Sequence, residues 1–85
     1  MRNTLFAWML VALTACSGSE SSEQYLLRAK EHLATADYKA ATIELKNALR
    51  LDANAAEARW LLGKLYLDLG EVQSAEKELQ RAQEL

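Results

Sequence analysis

The sequence predicts an all-α fold of two consecutive helical hairpins, placed after a short export segment and a flexible tether. Three observations point that way. Proline is absent from the 85 residues and glycine occurs only at Gly18, Gly63 and Gly70, so few positions force a break in a helix. Alanine, leucine, glutamate, lysine, glutamine and arginine dominate from Glu23 onward, the composition of helical hairpins. The chain from residue 22 also matches itself at a constant offset of 34 residues, the mark of a solenoid built from hairpins.

The same bulk features exclude several classes. This length holds one small domain at most. Net charge is −2 with acids and bases interspersed, so there is no clustered basic face of the kind that binds nucleic acid. One cysteine makes no internal disulfide, and one histidine makes no metal site alone.

Residues 1–15 differ from everything after them. Arg2 and the initiator amine precede an uninterrupted apolar run from Leu5 to Leu13, which ends at small residues. A positive end, an apolar core and a small-residue region make up a secretory signal. A membrane-spanning helix needs about 20 apolar residues, and this run is much shorter. A buried amphipathic helix would show a polar stripe, which the run lacks. Leu13-Thr14-Ala15-Cys16 resembles the lipobox of bacterial lipoproteins. That resemblance implies cleavage before Cys16 and acylation of its thiol, with the mature chain starting there. Two or more acyl chains hold a protein on a bilayer where one does not. The competing reading is a plain secretory signal with a leftover thiol. No cofactor is expected beyond the covalent lipid on Cys16.

Residues 16–22 then form the acylated end and its tether, Ser17-Gly18-Ser19-Glu20-Ser21-Ser22, a composition that behaves as flexible coil. In the sorting pattern of such lipoproteins an aspartate after the cysteine favours the inner membrane. Ser17 stands there, so the resemblance implies the outer membrane, facing the periplasm.

The first copy occupies residues 22–55 and the second residues 56–85. Glu23 meets Glu57, Lys30 meets Lys64, Ala41 meets Ala75, Glu44 meets Glu78, Leu45 meets Leu79 and Ala48 meets Ala82, with no insertion or deletion. Copy one reads as a helix from about Glu23 to Ala34, a turn at Thr35-Ala36-Asp37, and a helix from Tyr38 to about Leu51. Asp37 is placed to cap that second helix, by its side chain and by its charge. Ala41, Leu45 and Ala48 recur at intervals of four and three and line one face. Asp52-Ala53-Asn54 joins the copies with two residues that favour turns and caps. Copy two runs from about Ala55 to Leu69 and from Glu71 to Leu85, with Gly70 placed to take the left-handed conformation that ends a helix.

Leu62-Gly63, Tyr66, Ala75, Leu79 and Ala82 of copy two, with Tyr25, Ala29, Ala41, Leu45 and Ala48 of copy one, resemble the tetratricopeptide repeat (TPR) family. Trp60 falls one place after the family's tryptophan slot, which Arg59 occupies, and Ala53 stands where the inter-repeat proline is usual. Copy one departs at Arg28 and His32, where the family prefers leucine and tyrosine, as befits a terminal repeat. The small residues Ala29, Gly63, Ala41 and Ala75 let paired helices approach closely. The runs Tyr25–Lys30, Tyr38–Leu49 and Leu61–Gly70 are similar to the amino-terminal part of the TPR lipoproteins that accompany PEP-CTERM/exosortase systems. That resemblance implies scaffolding in envelope protein sorting or exopolysaccharide export.

The family implies binding of a protein or peptide partner along the concave face of the first helix of each repeat. Carried onto this chain, that face is Glu23, Leu26, Lys30 and Leu33, then Glu57, Trp60, Lys64, Leu67 and Asp68. The repeated glutamates and lysines would alternate charge along the groove, and Trp60 would anchor an apolar group. The bland reading is a solvated helix face with Trp60 packed under the tether. Catalysis has little support. His32 lacks a serine, cysteine or second histidine in register, and Glu76 and Glu78 point to different faces of a helix.

The sequence therefore leads to a membrane-anchored TPR lipoprotein that binds a protein partner. Behind it stand a short self-associating TPR module and, last, an enzyme. Two repeats fall short of the three or so that stacking stability requires, and Leu85 lies inside a helix. The expectation is therefore a truncated product, or a fragment of a longer array. Left alone, such a chain is expected to be marginally stable or to form homo-oligomers.

Overall fold

A computed structural model describes residues 20–85, in which four α-helices follow one another and no strand occurs. They are α1 (Ser22–Ala34), α2 (Tyr38–Leu51), α3 (Ala56–Asp68) and α4 (Val72–Glu84). The export segment and Cys16 lie outside the described residues. The element order and boundaries match the all-α expectation to within a residue or so.

Each boundary has a local cause. Ser21 caps α1 in a two-way box: the Gln24 amide donates to Ser21 Oγ at 3.2 Å, and the Ser21 amide donates to Gln24 Oε1 at 2.8 Å. The sequence reading started this helix one residue late because it assigned Ser21 to the tether. Asp37 caps α2 as expected, accepting from the Ala40 amide at 3.3 Å. Asp52 and Asn54 form the expected turn, the Asn54 amide donating to Asp52 Oδ1 at 3.0 Å. They do not cap α3. Its N-cap is Ala55, and that of α4 is Glu71, neither with a side-chain bond to the helix.

Both hairpins close by the same backbone device. In the first, the Asp37 amide donates to His32 O at 2.8 Å and the Ala36 amide to Leu33 O at 3.1 Å. In the second, the Glu71 amide donates to Tyr66 O at 2.8 Å and the Gly70 amide to Leu67 O at 3.0 Å. This pair of bonds is the Schellman motif, and it requires a left-handed residue between the helices. Gly70 fills that place at φ 81° without strain, whereas Ala36 holds it at φ 60°.

The core lies in the first hairpin and beneath α3. Ala29, Ala41, Leu45, Ala48, Ala58, Leu62 and Leu65 are sealed from solvent, with Tyr25, Leu26, Leu33, Leu49, Leu61 and Tyr66 packed around them. Ala41, Leu45 and Ala48 do form one face, and it is covered completely. Within the second hairpin α3 and α4 meet at Gly63. A Cβ there would stand 2.7 Å from Leu79 Cγ, so the close approach expected of the small residues is real at this crossing.

Candidate protein-interaction surface

Across each hairpin a glutamate on the second helix is held by an arginine on the first, but the two arginines come from different positions. Glu44 accepts from Arg28 Nε at 3.2 Å. Glu78, its equivalent, accepts from Arg59 Nη1 at 2.8 Å, and Arg59 Nε also donates to Ala53 O at 3.0 Å. Arg59 stands at the position of Tyr25, while Arg28 stands at the position of Leu62. The two departures from the repeat pattern thus serve one purpose, which sequence alignment at the offset could not reveal. Arg28 also pairs with Glu20 and lies 4.8 Å from the centroid of the Tyr25 ring. The bond to Glu20 raises its pKa above the ordinary arginine value; partial desolvation opposes this and the bond to Glu44 adds to it. His32 lies 3.7 Å from Glu44 and 3.9 Å from Asp37, too far for good hydrogen bonds, and is partly exposed.

The residues assigned to the groove separate into three groups. Lys30 and Glu57 meet across the two hairpins, with Nζ and Oε2 2.6 Å apart. Their charges satisfy each other rather than standing in alternation. Leu33, Lys64 and Asp68 come together around a shallow pocket of about 220 Å³, completed by Tyr38, Leu61 and Leu65. Leu26 is partly buried against the core and offers no free groove wall, whereas Leu33 packs against the core and keeps an edge on that pocket. Glu23 is exposed.

Trp60 and Leu67 are each 48% exposed, on the side of α3 turned away from the first hairpin. Lys64 lies 4.7 Å from the centroid of the Trp60 ring. Trp60 is therefore not buried beneath the tether within the described residues. With Ala56, Glu57, Leu79, Ala82 and Gln83 it borders a larger open groove of about 670 Å³ between α3 and α4. The sequence reading missed the α4 half of this groove. The signal for it was present: Trp60, Leu79, Ala82 and Gln83 are equivalent to Leu26, Leu45, Ala48 and Leu49, which pack in the core with α3 in the first hairpin.

Among the described residues no cluster of three His, Cys, Asp or Glu side chains is arranged to hold a metal ion. No described helix is long and apolar enough to cross a membrane. The described surface includes two shallow, partly apolar grooves on a helical frame, one around Leu33, Lys64 and Asp68 and one between α3 and α4. Residues 32–85 match the family profile described as Tetratricopeptide repeat. No match was found among curated proteins or solved structures.

Proposed function

The chain belongs to the tetratricopeptide repeat family, a protein-interaction fold, and from that premise we propose that it is a scaffold lipoprotein of the bacterial cell envelope. The observation that carries this reading is the run from the apolar segment to the repeats. Cys16 follows Leu13-Thr14-Ala15 directly, and Ser21 already caps the first helix of the folded array. An acyl anchor on Cys16 would hold the hairpins within a few residues of the bilayer, with Ser17-Gly18-Ser19 as the tether. Ser17 after the cysteine favours the outer membrane and its periplasmic face. The similarity to TPR lipoproteins of PEP-CTERM/exosortase systems extends the proposal to protein sorting or exopolysaccharide export as the setting. The partner is a protein or peptide, and the chain itself carries no catalytic role.

The anchor is tested by Cys16→Ala and by globomycin. The wild-type chain is expected in the membrane fraction with a globomycin-sensitive acyl label, and Cys16→Ala in the soluble periplasm. Unchanged membrane fractionation of Cys16→Ala would sink the anchor. The groove is tested by capture from envelope extracts with Lys64→Ala and Asp68→Ala, both exposed on the pocket edge. Loss of a captured protein is expected, and unchanged capture would count against the concave face.

A further inference from the structure

On α2 the basic residues and the one acid are sorted onto different sides. Lys39, Ile43, Lys46 and Arg50 recur at intervals of four, three and four, so they stand in one stripe along about three turns. All four are exposed, Ile43 to 54%. The stripe lies opposite Ala41, Leu45 and Ala48, the face against which α1 and α3 pack. Glu44, the only acid of α2, is turned toward α1, where Arg28 holds it. Lys39 and Lys46 stand in no ion pair among the described residues, and Arg50 reaches only the neutral Asn47 side chain, at 3.5 Å. The repeat does not impose this pattern. On α4 the same positions are Gln73, Lys77, Gln80 and Glu84, one cation against one anion.

The stripe also lies close to where the tether enters. Ser22 Oγ donates to Ala48 O at 3.1 Å, so the chain joins α1 beside the half of α2 that carries Lys46 and Arg50. From Cys16 to the Ser21 cap the chain reaches at most about 18 Å when fully extended. Glu20, the one acid of the tether, is bound by Arg28 and leaves the stripe's charge uncancelled.

We propose that the outer face of α2 rests on an anionic bilayer surface, with Lys39, Lys46 and Arg50 over lipid phosphates and Ile43 entering the headgroup layer. A cation held near such a surface strengthens binding severalfold, and one isoleucine adds little area, so the stripe alone binds reversibly. An acyl anchor on Cys16 supplies the effective concentration, and the stripe supplies the orientation. With α2 on the lipid, α1 and α3 lie on its far side, and the pocket edged by Lys64 and Asp68 opens away from the membrane. A soluble polyanion would meet the same cations, but it offers no layer for Ile43 and no tether holds it there. The setting of this docking rests on the reading of Cys16 as a lipid anchor.

The test uses the full chain in two forms. With Cys16→Ala, which carries no acyl group, partitioning is measured onto vesicles of phosphatidylcholine alone and of phosphatidylcholine mixed with phosphatidylglycerol. Binding is expected to favour the anionic vesicles and to fall in high salt. Lys39→Gln, Lys46→Gln and Arg50→Gln together should weaken anionic binding about tenfold or more. Neutral binding and circular dichroism should not change, because all three sites are exposed. Equal anionic binding by the triple variant would overturn the proposal, since the apolar run before Cys16 would then account for all of it. Stripe-dependent binding to soluble polyglutamate, with none to the vesicles, would overturn it in favour of an acidic chain. In the acylated form Cys16 is blocked, so Ile43→Cys takes a polarity-sensitive fluorophore alone. A blue shift on anionic vesicles is expected there and none from the same label at Asp68→Cys. Water-like emission at both sites of a vesicle-bound chain would overturn the docking and leave the anchor standing. A chain that resists acylation would sink the anchor, and the Cys16→Ala vesicles would still decide the stripe.

Discussion

The two hairpins carry many matching residues at matching positions and yet differ in burial, in the cap of the second helix and in the side-chain bond between helices. Leu45 is sealed from solvent, while Leu79 keeps part of its surface in water. Ser22 Oγ donates to Ala48 O at 3.1 Å and ties α1 to α2, whereas Ala56 has no hydroxyl with which to reach Ala82. Asp37 caps α2 and Glu71 leaves α4 without a side-chain cap. The turn and the well-buried Arg59–Glu78 pair favour the second hairpin, where Gly70 takes the left-handed place that Ala36 holds at a cost. In a stacked repeat, then, order reflects both the hairpin's own residues and the contact with the helix that lies over it.

The sharpest way to break that comparison is to truncate the equivalent leucines. Leu45→Ala leaves a cavity in a sealed core and should cost about 3 kcal/mol in urea denaturation. Leu79→Ala removes a side chain that is already partly wet, and about 1 kcal/mol is expected. Equal losses would mean that α4 is as well covered as α2.

The arginine–glutamate pairs give the next effect in size. Arg59 and Glu78 keep only 12% and 15% of their side-chain surfaces exposed, so Arg59→Ala strands a mostly buried carboxylate. A loss of about 2 kcal/mol follows. Arg28→Ala also leaves Glu44 without its arginine, but Arg28 itself is 37% exposed and its other partner Glu20 is exposed, so a smaller loss is expected. A larger loss at Arg28 would reverse the assignment of Arg59–Glu78 as the firmer tie.

The turns respond in opposite directions. Gly70→Ala puts a Cβ at φ 81° and should lower stability by about 1 kcal/mol. Ala36→Gly relieves the same conformation and should raise it by a little less, because glycine also loosens the unfolded chain. Both are read from the shift in denaturation midpoint, and a destabilising Ala36→Gly would refute the strain. Smallest of all, Glu71→Asp restores the cap that α2 enjoys, for a gain of about 0.5 kcal/mol. Increased amide-exchange protection in the first turn of α4 would register it.

Much of this was legible beforehand, and the residues show why. The face of Ala41, Leu45 and Ala48, the Asp37 cap and the left-handed Gly70 each rest on local rules of periodicity and backbone preference. Ala36 was not legible, since alanine avoids the left-handed region and only the closing bonds to His32 and Leu33 hold it there. The twin arginines escaped because the partner of an otherwise constant glutamate moves by one helical turn between copies, from position 28 to the equivalent of position 25. The assigned groove also held Leu26, whose sequence context equals that of Trp60 but whose neighbours differ.

The sequence alone determined the number of helices, their ends, the period and the apolar face of each, because these depend on residues within a turn or two of one another. The tertiary structure decided which of two equivalent faces is closed. It placed Leu26 under α3 and left Trp60 open, and it joined Lys30 to Glu57 across the hairpins. Burial and ion pairing belong to neighbours brought together in space, and a repeated sequence prescribes the same seat twice without stating what sits in it.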